Sequence, residues 1–204
     1  SAGNSTTDKE AGVVDTLVPT LTIDVADATN DATPLITGTT DEPAGSVVTI
    51  LVTDSAGATQ TLSAVVQVDG SFSISPGTDL AEGDFTVSAT ISDEAGNTAT
   101  ADTAGEIDTT APTITINAPG SDNDTTPTIS GTTDLPAGST VTLSVTDALG
   151  NTQTFTATVD GSGNFSVDVP NPLAEGEYSV TATATDANGN TATATETGGN
   201  IDIT

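Results

Sequence analysis

Pro19 and Pro112 stand 93 positions apart, and that offset recurs along the chain. Pro34 matches Pro127, Gly38 matches Gly131, Pro43 matches Pro136 and Gly45 matches Gly138. Asp54 and Asp147, Gln60 and Gln153, Phe72 and Phe165, and Gly83 and Gly176 follow the same rule. The register runs without a gap from Pro19 to Gly105. It then slips by one, so that Ile107 matches Ile201. A repeat of this length means one structural unit used twice, head to tail. The boundary falls at the acidic, Pro-terminated joint Asp108-Thr109-Thr110-Ala111-Pro112. This divides the chain into residues 15–107 and 108–204. Residues 1–14 read as the last strand of a preceding copy, because Ala2-Gly3-Asn4 matches Ala95-Gly96-Asn97 and Gly12 matches Gly105. An export signal is expected outside this segment.

Each copy reads as short β-strands. Apolar residues alternate with Thr and Ser, and Gly, Pro, Asn and Asp punctuate them. Seven strands are expected per copy. In the first copy they carry Leu21, Ile23 and Val25; Ile36; Val48, Ile50 and Val52; Leu62, Ala64 and Val66; Phe72 and Ile74; Phe85, Val87, Ala89 and Ile91; and a weak seventh with Ala99 and Ala101. The second copy repeats the pattern. No segment shows a helical period. The fold class is all-β: tandem immunoglobulin-like seven-stranded β-sandwiches, end to end. Tyr178, at the start of the sixth strand, sits where sandwiches place a tyrosine whose hydroxyl bonds back to the chain. The first copy has Phe85 there, so that hydroxyl is dispensable.

The connectivity of such a sandwich sorts the loops. Those after strands two, four and six gather at the N-terminal pole of each copy. Those after strands one, three and five gather at the C-terminal pole. Three acids from separate places then meet at the N-terminal pole of the second copy: Asp108 in the joint, Asp134 after strand two and Asp186 after strand six. Asp15, Asp41 and Asp93 repeat the set in the first copy. Asp27, Asp31, Asp54, Glu82 and Asp84 make the C-terminal pole of the first copy acidic as well.

Charge sharpens the question these clusters raise. The 204 residues hold 29 acidic side chains and one basic one, Lys9, for a net charge of −28. Converging carboxylates repel, and the chain has almost no cation of its own to neutralise them. A calcium ion does so with six to eight oxygen ligands in a flexible shell. The plainer reading is that each Asp caps its own turn, as Asp at the head of Asp-x-x-Gly-Asn commonly does. Nucleic acid is excluded as a partner for want of Lys and Arg to displace counterions. No apolar run is long enough to span a bilayer. Without His, Cys or Arg, and with no Ser beside a base, an enzyme is not expected.

Four segments in this order and spacing, Asp108-Thr-Thr-Ala-Pro112, Gly131-Thr-Thr-Asp134, Leu173-Ala-Glu-Gly176 and Asp186-Ala-Asn-Gly-Asn190, resemble the bacterial immunoglobulin-like repeats of giant surface adhesins. Those proteins are exported by type I secretion and are often grouped with the RTX adhesins. The resemblance covers essentially the whole chain. It implies a β-sandwich, calcium at or near the domain junctions, and an extender role. Such an extender lies outside the bacterial cell and projects a distal ligand-binding region for attachment and biofilm formation. Its partners are the neighbouring repeats of the same chain, and it behaves as a monomeric rod. The first copy departs from the pattern at Asp15-Thr-Leu-Val-Pro19, and reads Asp54-Ser-Ala-Gly-Ala58 where the second has Asp147-Ala-Leu-Gly-Asn151. The rival expectation is a calcium-dependent carbohydrate- or surface-binding module, since sandwich loops commonly carry ligands.

Overall fold

The computed structural model describes residues 14–204, so the strand expected within residues 1–14 lies almost entirely outside the described residues. Two compact units divide between Ile107 and Asp108. The first contains β1 (Leu21–Asp24), β2 (Ala28–Thr29), β3 (Ile36–Thr40), β4 (Val47–Thr53), β5 (Thr59–Val65), β6 (Ser71–Ile74), β7 (Gly83–Ser92) and β8 (Thr98–Ile107). The second contains β9 (Ile114–Asn117), β10 (Ser121–Asp122), β11 (Thr128–Thr133), β12 (Thr140–Thr146), β13 (Thr152–Thr158), β14 (Asn164–Asp168), β15 (Gly176–Thr185) and β16 (Thr191–Ile201).

Each unit is a sandwich of a three-stranded and a five-stranded sheet. The first unit orders them β1-β3-β6 and β2-β8-β7-β4-β5; the second orders them β9-β11-β14 and β10-β16-β15-β12-β13. Alternation along β4 explains the layering. Val48, Ile50 and Val52 are fully buried, while Val47, Thr49 and Leu51 face outward. Val141, Leu143 and Val145 of β12 do the same in the second unit. Burying this one face of each sheet supplies the hydrophobic stabilisation, at about 25 cal/mol per Å² of apolar surface.

The seven expected strands are present, with two corrections. An eighth element, of two residues, precedes the second long strand: β2 leaves the smaller sheet and pairs in parallel with β8, as β10 does with β16. The seventh long strand is not weak. β8 pairs with β7 over ten residue pairs, from Ser92↔Thr98 to Gly83↔Ile107. Its alanines contribute little apolar area, so the backbone ladder and buried Ile107 hold it.

Aromatic rings lie across glycines on the neighbouring strand. Gly38 pairs with Phe72 and Gly131 with Phe165. A Cβ at either glycine would run into that ring and into the backbone carbonyl of Thr22 or Thr115. Gly105 and Gly199 serve Phe85 and Tyr178 in the same way. This relocates the slip in the repeat. The offset of 93 carries Gly105 onto Gly198, but the structural counterpart is Gly199. The extra residue sits in β16, where the register with β15 shifts between Tyr178 and Val180 as a bulge. The Tyr178 hydroxyl donates to the carbonyl of Pro119, 3.1 Å away. Its bond back to the chain therefore reaches the stretch between β9 and β10.

Candidate metal centre

The hairpin turn between β15 and β16 is built on Asp186. Its Oδ1 accepts the backbone N–H groups of Asn188 (2.9 Å) and Asn190 (2.8 Å), and its Oδ2 accepts the side-chain amide of Asn190 (2.9 Å). The same Asn190 amide donates its other hydrogen to the carbonyl oxygen of Asp108, 2.8 Å away. Asn188 Nδ2 donates to Asp108 Oδ2 at 2.8 Å, and Thr110 N–H donates to Asp108 Oδ1 at 3.1 Å. The joint is thus pinned at both backbone and side chain to the turn after the sixth long strand. Asp134 follows β11, and its Oδ1 accepts the N–H of Thr113 at 2.8 Å, just beyond buried Pro112. Asp108, Asp134 and Asp186 line one shallow hollow, floored by Pro112, Leu135 and Pro136. All three lie within the second unit.

The first unit repeats the scheme with changes. Asn97 Nδ2 donates to Asp93 Oδ2 (2.7 Å) and to the carbonyl of Asp15 (3.2 Å). Asp93 Oδ1 accepts Asn97 N–H at 2.8 Å, and Asp41 Oδ1 accepts Thr20 N–H at 2.7 Å. Asp15 Oδ1 accepts the N–H of Leu17 at 3.0 Å. Where the second unit has Leu135, the first has Glu42.

The sequence model of the bacterial Ig-like domain matches residues 19–109 and again residues 115–203. The chain belongs to that family. Three solved structures are similar to these bacterial Ig-like repeats. One is a tetra-tandem repeat in the extending region of a large adhesion protein, 34% identical, covering 91% of this chain and 49% of that one with a TM-score of 0.44. A second is a Ca2+-stabilised adhesin that helps an Antarctic bacterium reach out and bind ice, 31% identical, covering 91% and 49% with a TM-score of 0.54. A third is a 1.5-MDa bacterial ice-binding adhesin, 28% identical, covering 90% and 65% with a TM-score of 0.48. The chain spans about half the length of the first two. Comparison with curated proteins finds no match.

In both bacterial Ig-like units the residues missed in the sequence are the amides. Asn97 and Asn190 occupy the same place at the 93 offset, which was the available signal; their partners are the joint carbonyls, 82 positions away in each case. Two of the acids expected at the C-terminal pole, Asp31 and Asp54, are turn formers, as is Asp147, the counterpart of Asp54. Asp54 accepts the N–H groups of Ala56, Ala58 and Ala81, and Asp147 accepts those of Leu149, Asn151 and Ala174. Asp31 accepts the N–H and hydroxyl of Thr33.

Every candidate carboxylate also caps or ties backbone, so the turn reading holds for each one singly. Among the described residues no three acidic side chains are gathered, as they stand, into a group that could hold an ion. The donor set nonetheless fits a hard cation in kind. It is all oxygen, and each carboxylate has about four lone-pair sites, more than its N–H partners use.

Electrostatics separate the two units. The side-chain amide of Asn190 foremost holds Asp186 below the ordinary value of 3.8, and that of Asn97 does the same for Asp93. The backbone N–H of Thr20 lowers Asp41. These three contribute stability that is present above 3.8 and lost as pH falls through their lower folded values. Glu42 moves the other way. Burial raises it above 4.5, and the charges of Asp93, Asp41 and Asp15 add to the effect. Its unfavourable contribution is absent below 4.5 and grows as pH rises through its folded value. Glu42→Gln is therefore expected to raise the melting temperature of the first unit by a few degrees at neutral pH in chelator, and by nothing below pH 4.5. Calorimetry at the two pH values checks this; an equal gain at both would rule out the repulsion.

Proposed function

We propose that the chain is a pair of consecutive extender repeats of a bacterial surface adhesin, with calcium held at the N-terminal pole of each repeat. The observation that carries this reading is the shared hollow of Asp108, Asp134 and Asp186, three carboxylates from three separate segments with no protein cation among them. Asp15, Asp41 and Asp93 are the corresponding residues of the first repeat, and Glu42 adds a fourth acid beside them. Family membership supports a structural module, and the similarity to a Ca2+-stabilised adhesin supports the choice of ion. Bound there, calcium supplies positive charge and oxygen coordination in place of mutual repulsion.

The chain's own residues prepare the joint for that role. Pro112 fixes its own φ and biases Ala111 toward extended geometry. Asn190 and Asn188 pin Asp108 to the top of its repeat before any ion arrives. An ion shared by Asp108 and the two pole carboxylates makes the joint costlier to bend. Repeats so joined act as a stiff, monomeric spacer whose partners are the next repeats, holding a distal binding region away from the cell. Modules of this extracellular kind bind calcium at about 10⁻⁴ to 10⁻³ M, a range suited to the outside medium. The reading assigns no catalysis to the chain.

Small-angle scattering tests it. With calcium the two-repeat particle is expected to show one well-defined maximum dimension. With chelator the distance distribution is expected to broaden and shorten. Superimposable profiles in the two conditions would reject a calcium-stiffened joint.

A further inference from the structure

Asn188 is followed by Gly189, and this is the one Asn-Gly step in the sequence. Five turns share its architecture: Asp54 to Ala58, Asp93 to Asn97, Asp147 to Asn151, Asp160 to Asn164 and Asp186 to Asn190. In each, the Asp backbone N–H donates to the last residue's carbonyl, and a positive-φ glycine N–H donates back to the Asp carbonyl. The residue before that glycine is Ala56, Ala95, Leu149, Ser162 or Asn188. The turn therefore makes no demand for an amide at that position. Only the last turn has one there, and its Nδ2 is bonded to Asp108 Oδ2 at 2.8 Å.

We propose that Asn188 is a site of spontaneous deamidation, and that its hydrogen bond to Asp108 is the restraint that sets the rate in the folded chain. The reaction needs the backbone nitrogen of Gly189 to attack Cγ of Asn188. That nitrogen loses its proton and forms a new C–N bond, the Cγ–Nδ2 bond breaks, and ammonia leaves. Water then opens the resulting five-membered imide at either carbonyl, giving Asp or isoaspartate at position 188. The sum is Asn plus water going to the acid plus ammonia, with no change of oxidation state. Glycine suits the attacking position because it has no Cβ to crowd the approach. Gly189 is exposed, so water reaches the imide. Its N–H bond to Asp186 O measures 3.3 Å; the equivalent bonds of Gly57, Gly96, Gly150 and Gly163 measure 2.9, 3.2, 2.9 and 3.2 Å. The attacking group is thus held by a long hydrogen bond.

The restraint acts on the other partner. While Nδ2 donates to Asp108, the amide is tied to the joint and is not free to rotate. Loss of that bond frees the side chain to rotate. Once formed, a carboxylate at 188 faces Asp108 with like charge. The isoaspartate product adds a methylene to the backbone of a tight turn, displacing the Asn190 amide from the Asp108 carbonyl. The modification thus loosens the link between joint and turn in the second unit alone, since the first has Ala95 at this position.

The test incubates the full chain at mildly alkaline pH, with chelator throughout so that no bound ion enters the result. Peptide mass mapping then locates acid and isoacid products. Asn188 is expected to convert at least about ten-fold faster than any other asparagine, and Asp108→Ala to raise its rate about ten-fold again, the worth of a hydrogen bond to a charged acceptor. Asp108→Asn, which keeps a neutral acceptor oxygen, is expected to fall between the parent and Asp108→Ala, and circular dichroism confirms that both variants remain folded. Conversion spread evenly over the asparagines, an inert Asn188, or an unchanged rate in Asp108→Ala would each overturn the proposal.

Discussion

Gly131→Ala is expected to lower the melting temperature of the second unit by roughly 12–24 °C and to leave the first where it is. The new Cβ would meet the ring of Phe165 and the backbone carbonyl of Thr115 at once. The ring has few places to go, because Phe165 is 2% exposed within a packed core. The carbonyl belongs to β9, whose pairing with β11 runs from Ile114 to Asn117, so moving it breaks ladder bonds. Overpacking of this kind costs about 3 kcal/mol. For a unit of this size each kcal/mol is worth roughly 4–8 °C. Phe165→Leu in the same chain removes the ring but not the carbonyl, so the double variant is expected to recover only part of the loss. Calorimetry showing both transitions moving together, or a fall of less than about 4 °C, would mean that the strand can relax around a methyl group.

Calcium is expected to raise the melting of the second unit by roughly 10–20 °C when it exceeds its dissociation constant a hundredfold, which corresponds to about 2.7 kcal/mol. Asp108→Ala is expected to shrink that gain by more than half. Asp102→Ala changes the net charge equally, but Asp102 lies exposed in the middle of β8, opposite Ser88, and in the first unit, so it should leave the gain intact. Differential scanning calorimetry with a calcium titration reads both. Equal effects of the two substitutions would assign the stabilisation to diffuse screening of the 29 acidic groups and not to a site.

The strands were readable in the sequence because period-two alternation is a local signal. Val48, Ile50 and Val52 have only one face to choose, and a slip of one residue would expose all three. The sorting of loops to poles follows from antiparallel connectivity, which is why Asp108, Asp134 and Asp186 could be grouped before any coordinates. The rest depends on contacts between distant segments, which no local pattern encodes. β2 is two residues long, and its pairing with β8 is backbone to backbone, so side chains carry no trace of it. The clamp from Asn190 to Asp108 joins residues 82 apart through one amide, whose direction is set by the turn Asp186 builds. The Gly199 correction came from a bulge that the repeat offset registers only as a slip somewhere before Ile201. Glu42 leaves no trace in the repeat, because the second copy has Leu135 at the matching position.

The parallel pairing of β2 with β8 bears on what happens when such a unit is pulled. Ala28↔Glu106 and Thr29↔Ile107 are joined next to a further bond, Glu106 N–H to the Asp27 carbonyl at 2.9 Å, and β10 and β16 repeat the arrangement. One partner lies near the start of the unit and the other at its end. Tension on the two chain termini therefore drags neighbouring strands past each other lengthwise, straining these bonds in shear and together. An antiparallel pair tugged open from one end would instead peel, one bond after another. A two-residue strand is thus a small lock against lengthwise pulling on its own unit.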